Sequence, residues 1–282
     1  LKGDGRYTDD CTPAGTLSGV VLRSPHAAAK IRAIDTAAAK QVPGVLAVYT
    51  HADLAADGIG GLPCLVPLKN RDGSPMHLPP HPVLAQGAVR HVGDPVAFIV
   101  AETVQAARDA AEAVTVDYDT LPSATDLATA TDAGQPQVWE GAPNNICFDW
   151  EAGDKAKADD LFKQAAHVTR LTVVNNRVVV ASMEARAALA EYDRASGRWT
   201  LTTNTQGGWL LKELLAKMVF KTEQDKFRII TPDVGGGFGM KIFLYAEQVL
   251  VCYAARKLGR PVKWASERSE AFLSCLLYTS DA

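Results

Sequence analysis

The segment Thr231-Pro-Asp-Val-Gly-Gly-Gly-Phe-Gly-Met-Lys241 constrains this chain more tightly than any other stretch. Residues 227–231, Phe-Arg-Ile-Ile-Thr, read as a strand running into Pro232, and an apolar-periodic helix begins near Leu244. The chain must therefore pass from strand to helix through four glycines and one aromatic. Glycine has no Cβ, so backbone N–H groups there can turn outward at positive φ and approach a ligand closely. Phe238, kept among the glycines, suggests a side chain presented to something in particular. Taken alone, Gly-Gly-Gly reads first as a plain turn. Two nucleotide motifs are excluded by spacing. A P-loop needs Lys-Ser/Thr after its last glycine, but Lys241 follows Met240 and precedes Ile242. A dinucleotide pattern started at Gly235 meets Met240 where its third glycine should stand.

The 282-residue length sets a prior of about two domains, and 47% hydrophobic residues can fill real cores. A formal charge of −3 and the lack of a basic cluster argue against nucleic acid as a partner. No apolar run approaches the roughly 20 residues of a spanning helix, and no secretory signal is visible, so a cytoplasmic protein is expected. Cysteines 11, 64, 147, 252 and 275 contain no Cys-x-x-Cys, so neither a zinc ribbon nor an iron–sulfur cluster is expected from this chain alone. The histidines include no pair at metal-ligand spacing; His77 and His81 are separated by two prolines that forbid a helix. No metal ligand is expected from the protein.

Along the chain, residues 17–22, 45–50, 96–101 and 113–118 read as strands, with an Ala-rich helix at 103–113 whose Arg108 and Glu112 fall at i, i+4 on a solvated face. Residues 58–82 carry six prolines and no period, which reads as a long surface excursion. A second composition shift at 121–145 reads as a linker between two packed units, each with its own sheet. Beyond it, a helix is expected near 157–166, a strand at 167–174, and a hairpin of strands 187–193 and 198–204 joined by Arg194-Ala-Ser-Gly197. Helix 209–219, strand 227–231, helix 244–258 and strand 262–265 complete the order. Gly259 and Pro261 give helix 244–258 a regular stop.

The run 232–241, with Tyr245-Ala-Glu-Gln248 and Arg256-Lys-Leu-Gly-Arg-Pro-Val-Lys-Trp264 behind it, resembles the molybdenum-cofactor-binding large subunit of the xanthine dehydrogenase family. That family also holds aldehyde oxidoreductases and aerobic carbon monoxide dehydrogenases. Gly5-Arg-Tyr-Thr-Asp-Asp10, Arg23-Ser-Pro-His26, Pro43-Gly-Val45, Val92-Gly-Asp-Pro-Val-Ala97, Val116-Asp-Tyr118 and Leu121-Pro122 resemble its N-terminal α/β hammerhead domain. Met183-Glu184, residues 187–193 and Thr205-Gln206 resemble the start of its cofactor domain, with Ala185 where members commonly have proline. The implied fold class is α+β (mixed α/β): a hammerhead domain at 1–122, a linker at 123–145 and a cofactor-binding domain at 146–274. Residues 275–282 resemble nothing in the family and read as a non-native tail. The absence of an initial Met adds the expectation of a fragment cut at both ends, which would be inactive alone.

The resemblance implies a molybdenum–molybdopterin cofactor, in its cytosine dinucleotide form, with the metal held on the pterin's sulfurs. It implies oxidative hydroxylation of a small molecule, or CO oxidation, with electrons leaving through an iron–sulfur small subunit and an FAD-binding medium subunit. The Gln206 amide would meet an oxo ligand, the backbone at Gly236, Gly237, Phe238 and Gly239 would hold the cofactor, and Phe238 would wall the substrate channel. Gln206 and Phe238 are thus the candidate catalytic residues. Gln206 and residues 235–239 should lie about 10 Å apart, leaving a gap for one head group. Glu184 and Arg186 read as a structural ion pair. Ile242 stands where purine-hydroxylating members carry Glu, which argues against xanthine; the family's general base lies in a later portion. Two other readings compete. A nicotinamide dehydrogenase would need an acidic residue ending a second strand about 20 positions after the loop, but Glu267 lies past the strand at 262–265. A non-catalytic interaction module is the other.

Overall fold

The computed structural model describes residues 2–174 and 178–274 and divides into two units, Leu1–Pro63 with Pro80–Ser123 and Val179–Leu276, and Cys64–Pro79 with Ala124–Val178. Among the described residues the first holds ten strands: β1 (Leu17–Arg23), β2 (Ala29–Asp35), β3 (Val45–Tyr49), β4 (Ala88–Val89), β5 (Pro95–Ala101), β6 (Thr115–Thr120), β7 (Ala187–Asp193), β8 (Arg198–Thr203), β9 (Phe227–Ile230) and β10 (Val262–Ala265). Its helices are α1 (His51–Ala56), α2 (Val104–Ala113), α4 (Gly208–Glu213), α5 (Ala246–Leu258) and α6 (Arg268–Ser274), with α3 (Lys155–Gln164) in the second unit.

Seven strands form one mixed sheet in the order β3-β5-β1-β10-β7-β8-β9, and β4-β2-β6 form a small antiparallel sheet. Two pairings are parallel, β1 with β10 and β8 with β9. This departs from the expectation of separate sheets on either side of residues 121–145. The join is the short parallel contact of Leu17 with Val262 and Ser18 with Lys263, made across more than two hundred residues of chain. The side chain of Lys263 fastens the same junction, donating to Asp9 O and to Thr12 Oγ1.

The strongest strand is β5. All seven of its residues are buried, so its apolar run shows no alternation. Ala97, Ile99 and Ala101 join Ala107 and Ala110 of α2 in one apolar cluster. Across the pairing with β1, Phe98 lies over Gly19, where any Cβ would sit 2.5 Å from the ring's Cζ. Glycine inside that strand is thus explained by close approach rather than by a turn. Helix α2 begins at Thr103, whose side chain accepts from Ala106 N at 3.1 Å. Arg108 on this helix pairs with Glu267 rather than with Glu112.

Helix α5 is buried from Ala246 to Ala255 and packs on β7, β8, β10 and β5. Its end follows the expected signals: Gly259 at φ 67° returns its N–H to Ala255 O, with Arg256 and Lys257 in the last turn. Under α5, Trp199 donates Nε1–H to Cys252 O at 3.0 Å and stacks on Phe227 at 4.7 Å. The expected helix 209–219 is α4 followed by a π-helical stretch, Leu214–Phe220, that closes on Lys221 in the left-handed region.

The second unit is sparse in regular structure. Residues 167–174 form no strand; Leu171 is 82% exposed, and β-prone side chains without a partner strand gain nothing from extension. Helix α3 starts on an Asp154 cap and buries no residue. Arg71 binds Asp149 and Glu151, and Asn145 ties residues 130, 136 and 138 together. Among the described residues no helix is long and apolar enough to cross a membrane. The tail expectation falls on residues 275–282, outside the described residues.

Candidate functional site

Strands β8 and β9 run parallel, with Thr202 opposite Ile230, so the segments that leave their C-terminal ends emerge at one edge of the sheet. Ligands of α/β sheets sit outside such strand ends. The β8 exit carries Asn204-Thr205-Gln206, and the β9 exit carries the glycine segment. The two are stitched together by three bonds. Gln206 N donates to Lys241 O at 2.9 Å, Thr205 Oγ1 donates to the same oxygen at 3.0 Å, and Lys241 N donates to Gln206 Oε1 at 3.1 Å. Gln206 also lies directly against Gly237, where an added Cβ would run into the Gln206 amide. The expected gap of about 10 Å is therefore absent. The β8–β9 pairing is too close to leave one, and a head group would lie across the paired segments rather than between them.

The loop's backbone alternates in hand from Gly235 to Phe238, with Gly236 at φ 95° and Phe238 at φ 49°, and stays left-handed at Gly239, φ 81°. Such alternation turns successive N–H groups toward one concavity, which favours an anion. The N–H groups of Gly236, Gly237 and Phe238 have no hydrogen-bond partner among the described residues. A non-glycine residue at positive φ stores strain of order 1–3 kcal/mol and is held only by its surroundings. The Phe238 ring is 73% exposed and folds back so that a Cβ on Gly236 would lie 2.8 Å from its Cε2. Arg6 braces the loop's entry, exchanging two bonds of 2.9 Å with Asp233.

Behind the loop lies an ion pair that local sequence did not reveal. The Lys241 side chain is fully buried and its Nζ meets Glu184 Oε2 at 2.9 Å. Burial pulls the Lys241 pKa below its ordinary value, and the Glu184 carboxylate opposes that pull. Glu184 Oε2 also accepts from Gly235 N at 2.9 Å, while Glu184 Oε1 is buried without a partner among the described residues. The expected Glu184–Arg186 pair does not form, because Glu184 is taken up by Lys241 and Gly235. Arg186 instead meets Glu247 at 3.0 Å and lies 3.7 Å over the Tyr245 ring. Glu247 in turn meets Arg23 at 2.5 Å, and Arg23 meets Glu270 at 2.7 Å. Burial alone would raise the Glu247 pKa, but Arg186 and Arg23 outweigh it and bring it down to about 2.

This donor set suits a bound group that brings its own metal ligands. No cluster of three or more metal-binding side chains exists among the described residues. What the site offers is outward N–H groups and the Nε2 end of Gln206, whose Oε1 is already engaged. These are donors for anionic oxygen or sulfur, as a molybdenum–pterin group would present.

Comparison with known proteins agrees along the whole chain. The model for the aldehyde oxidase and xanthine dehydrogenase a/b hammerhead domain matches residues 2–122, and the model for the molybdopterin cofactor-binding domain matches residues 138–275. The nicotine 6-hydroxylase large subunit of Paenarthrobacter nicotinovorans is 34% identical over 276 residues, covering 97% of this chain and 32% of the relative. The carbon monoxide dehydrogenase large chain of Afipia carboxidovorans is also 34% identical, over 95% of this chain and 33% of the relative. Crystalline quinoline 2-oxidoreductase from Pseudomonas putida 86 superposes with a TM-score of 0.87 at 33% identity, covering 99% of this chain and 34% of that one. The chain thus spans about a third of the length of the relatives it matches. By its two matching domains, its relatives and its fold, the chain belongs to the xanthine dehydrogenase family of molybdopterin-binding large subunits.

Proposed function

We propose that this chain supplies one wall of a molybdenum–pterin site in an oxidative hydroxylase. The observation that carries the reading is the polarity of Gln206. Its Oε1 accepts from Lys241 N, so its free end is the Nε2 donor, set beside the N–H groups of residues 236–238. When bound, a molybdenum–pterin group supplies a Lewis-acidic centre that accepts two electrons. Gln206 would donate from Nε2 to the anionic edge of such a group, and the backbone of Gly236, Gly237, Phe238 and Gly239 would line the same side. Being fixed before the ligand arrives, these dipoles need no reorganisation to stabilise charge. Phe238 walls the substrate's approach and keeps water from the reacting carbon, which its exposure makes room for. Ile242 offers no carboxylate to a purine ring, so an aldehyde, an N-heterocycle other than xanthine, or CO fits better.

The same reading extends to the pterin's cytosine dinucleotide form, to an iron–sulfur small subunit and an FAD-binding medium subunit as electron acceptors, and to a cytoplasmic setting. Dye-linked oxidation and molybdenum content, measured on the completed large subunit with its partner subunits, test it. Gln206→Ala should lower turnover about 10- to 1000-fold, the range for losing one preorganised donor. Turnover equal to wild type in that variant would remove Gln206 from the mechanism. The 282-residue chain alone should neither turn over nor retain molybdenum, since half a cavity leaves the other face of the group in water.

A further inference from the structure

The side chains of Glu184 and Lys241 have no part in the reading above, yet their geometry is unusual. One carboxylate oxygen, Glu184 Oε2, takes hydrogen bonds from both ends of the glycine loop: from Gly235 N at 2.9 Å and from Lys241 Nζ at 2.9 Å. Glu184 N in turn donates to Gly235 O at 3.0 Å, and Ser182 Oγ donates to Glu184 O at 2.6 Å. Gly235 must be glycine for this contact, since a Cβ would stand 2.5 Å from Glu184 Cβ. From the other side, the Lys241 backbone holds Gln206 by both its amide N–H and its carbonyl.

We propose that Glu184 and Lys241 are positioning residues, a charged clasp that closes residues 235–241 into their ligand-facing shape and sets which end of the Gln206 amide faces out. Closing the loop with one shared oxygen fixes both of its ends at once. The five-residue span between them, 236–240, carries the outward N–H groups, so its curvature depends on that oxygen staying in place. Lys241 then transmits the setting to Gln206, because its N–H reaches Gln206 Oε1 only while its side chain is anchored. An amide can flip end for end at little cost in shape, but with Lys241 N–H in place a flipped Gln206 would set donor against donor. Isolated buried pairs of this kind contribute little net stability, and their retained use is specificity of arrangement. The bearing on catalysis rests on the molybdenum reading, whereas the clasp itself is testable without metal.

The test is residue-resolved amide exchange by NMR on the isotope-labelled 282-residue chain, with the Gln206 side-chain NH₂ signals followed alongside. Lys241→Met keeps the volume and the backbone N–H but removes the anchor. The amides of Met240, Lys241 (now Met) and Ile242 should then exchange at least tenfold faster, on the order of a local opening, while 249–254 in α5 keep their wild-type rates. The Gln206 NH₂ signals should move toward their values in free peptides. Should the lone buried carboxylate unfold the single variant, Glu184→Gln/Lys241→Met removes both charges with groups of similar shape. There Gly235 should stay protected by the new amide oxygen while residues 240–242 loosen, a split that a merely supporting role would not produce. Unchanged exchange at 240–242, or α5 opening in step with the loop, would overturn the proposal. Neither result bears on whether the completed subunit holds molybdenum.

Discussion

Replacing Glu247 by Gln probes the buried charge network that joins β1, α5 and α6. In the folded chain its carboxylate receives Arg23 Nη2 at 2.5 Å and Arg186 Nη1 at 3.0 Å, with side chains 3–8% exposed. A carboxyl held at about 2 instead of its ordinary 4.5 contributes about 3 kcal/mol at neutral pH. That agrees with the 3–5 kcal/mol typical of removing one partner from a buried pair. Gln keeps an acceptor for one guanidinium but leaves two buried cations with a single facing carboxylate, Glu270, so the lower figure applies. For a folded unit of this size, about 3 kcal/mol corresponds to a fall in Tm of roughly 6–12 °C. The sign with pH follows from the lowered value. The contribution is complete above the unfolded carboxyl's 4.5 and is lost as pH falls through about 2. Thermal unfolding of wild type and Glu247→Gln by circular dichroism should therefore show a wide Tm gap near neutral pH that narrows in acid. A gap below about 2 °C at neutral pH, or one indifferent to acid, would refute the reasoning.

Glu270→Gln should cost less than Glu247→Gln at neutral pH, since burial raises the Glu270 pKa and its charge is held against that cost; equal losses in Tm would count against this. Gly237→Ala places a Cβ in the Gln206 amide at an ordinary backbone φ, so it should displace Gln206 and deplete molybdenum in the completed enzyme, with a Tm loss of only a few degrees. Trp199→Ala empties the centre of the ring cluster with Tyr192, Phe220 and Phe227 and should destabilise by about 3–5 kcal/mol in urea titrations.

Much of this architecture was legible locally. Helix α5 announced itself by period and by Gly259 and Pro261, and the β7–β8 hairpin by its four-residue connection. The convergence of Gln206 with the glycine loop followed from both lying at strand ends, and the structure adds that those strands are parallel neighbours. What stayed hidden was non-local. The two-residue contact of β1 with β10 leaves no trace in either strand's pattern, so the sequence pattern divides into two sheets what pairs as one. Lys241, behind a glycine run, carries no local sign of being buried, and its partner Glu184 lies 57 residues earlier. The strand expected at 167–174 has β-prone residues but no strand to pair with among the described residues, and propensity alone does not make a strand.

The most direct measurement of the central claim is an anomalous difference map at the molybdenum edge from crystals of the completed large subunit. The account predicts a single strong peak within about 5 Å of Gln206 Nε2, facing the amides of residues 236–238, a distance set by one metal–ligand bond plus one hydrogen bond. A molybdenum peak elsewhere in the subunit, with Gln206 and Phe238 turned away from it, would contradict the account.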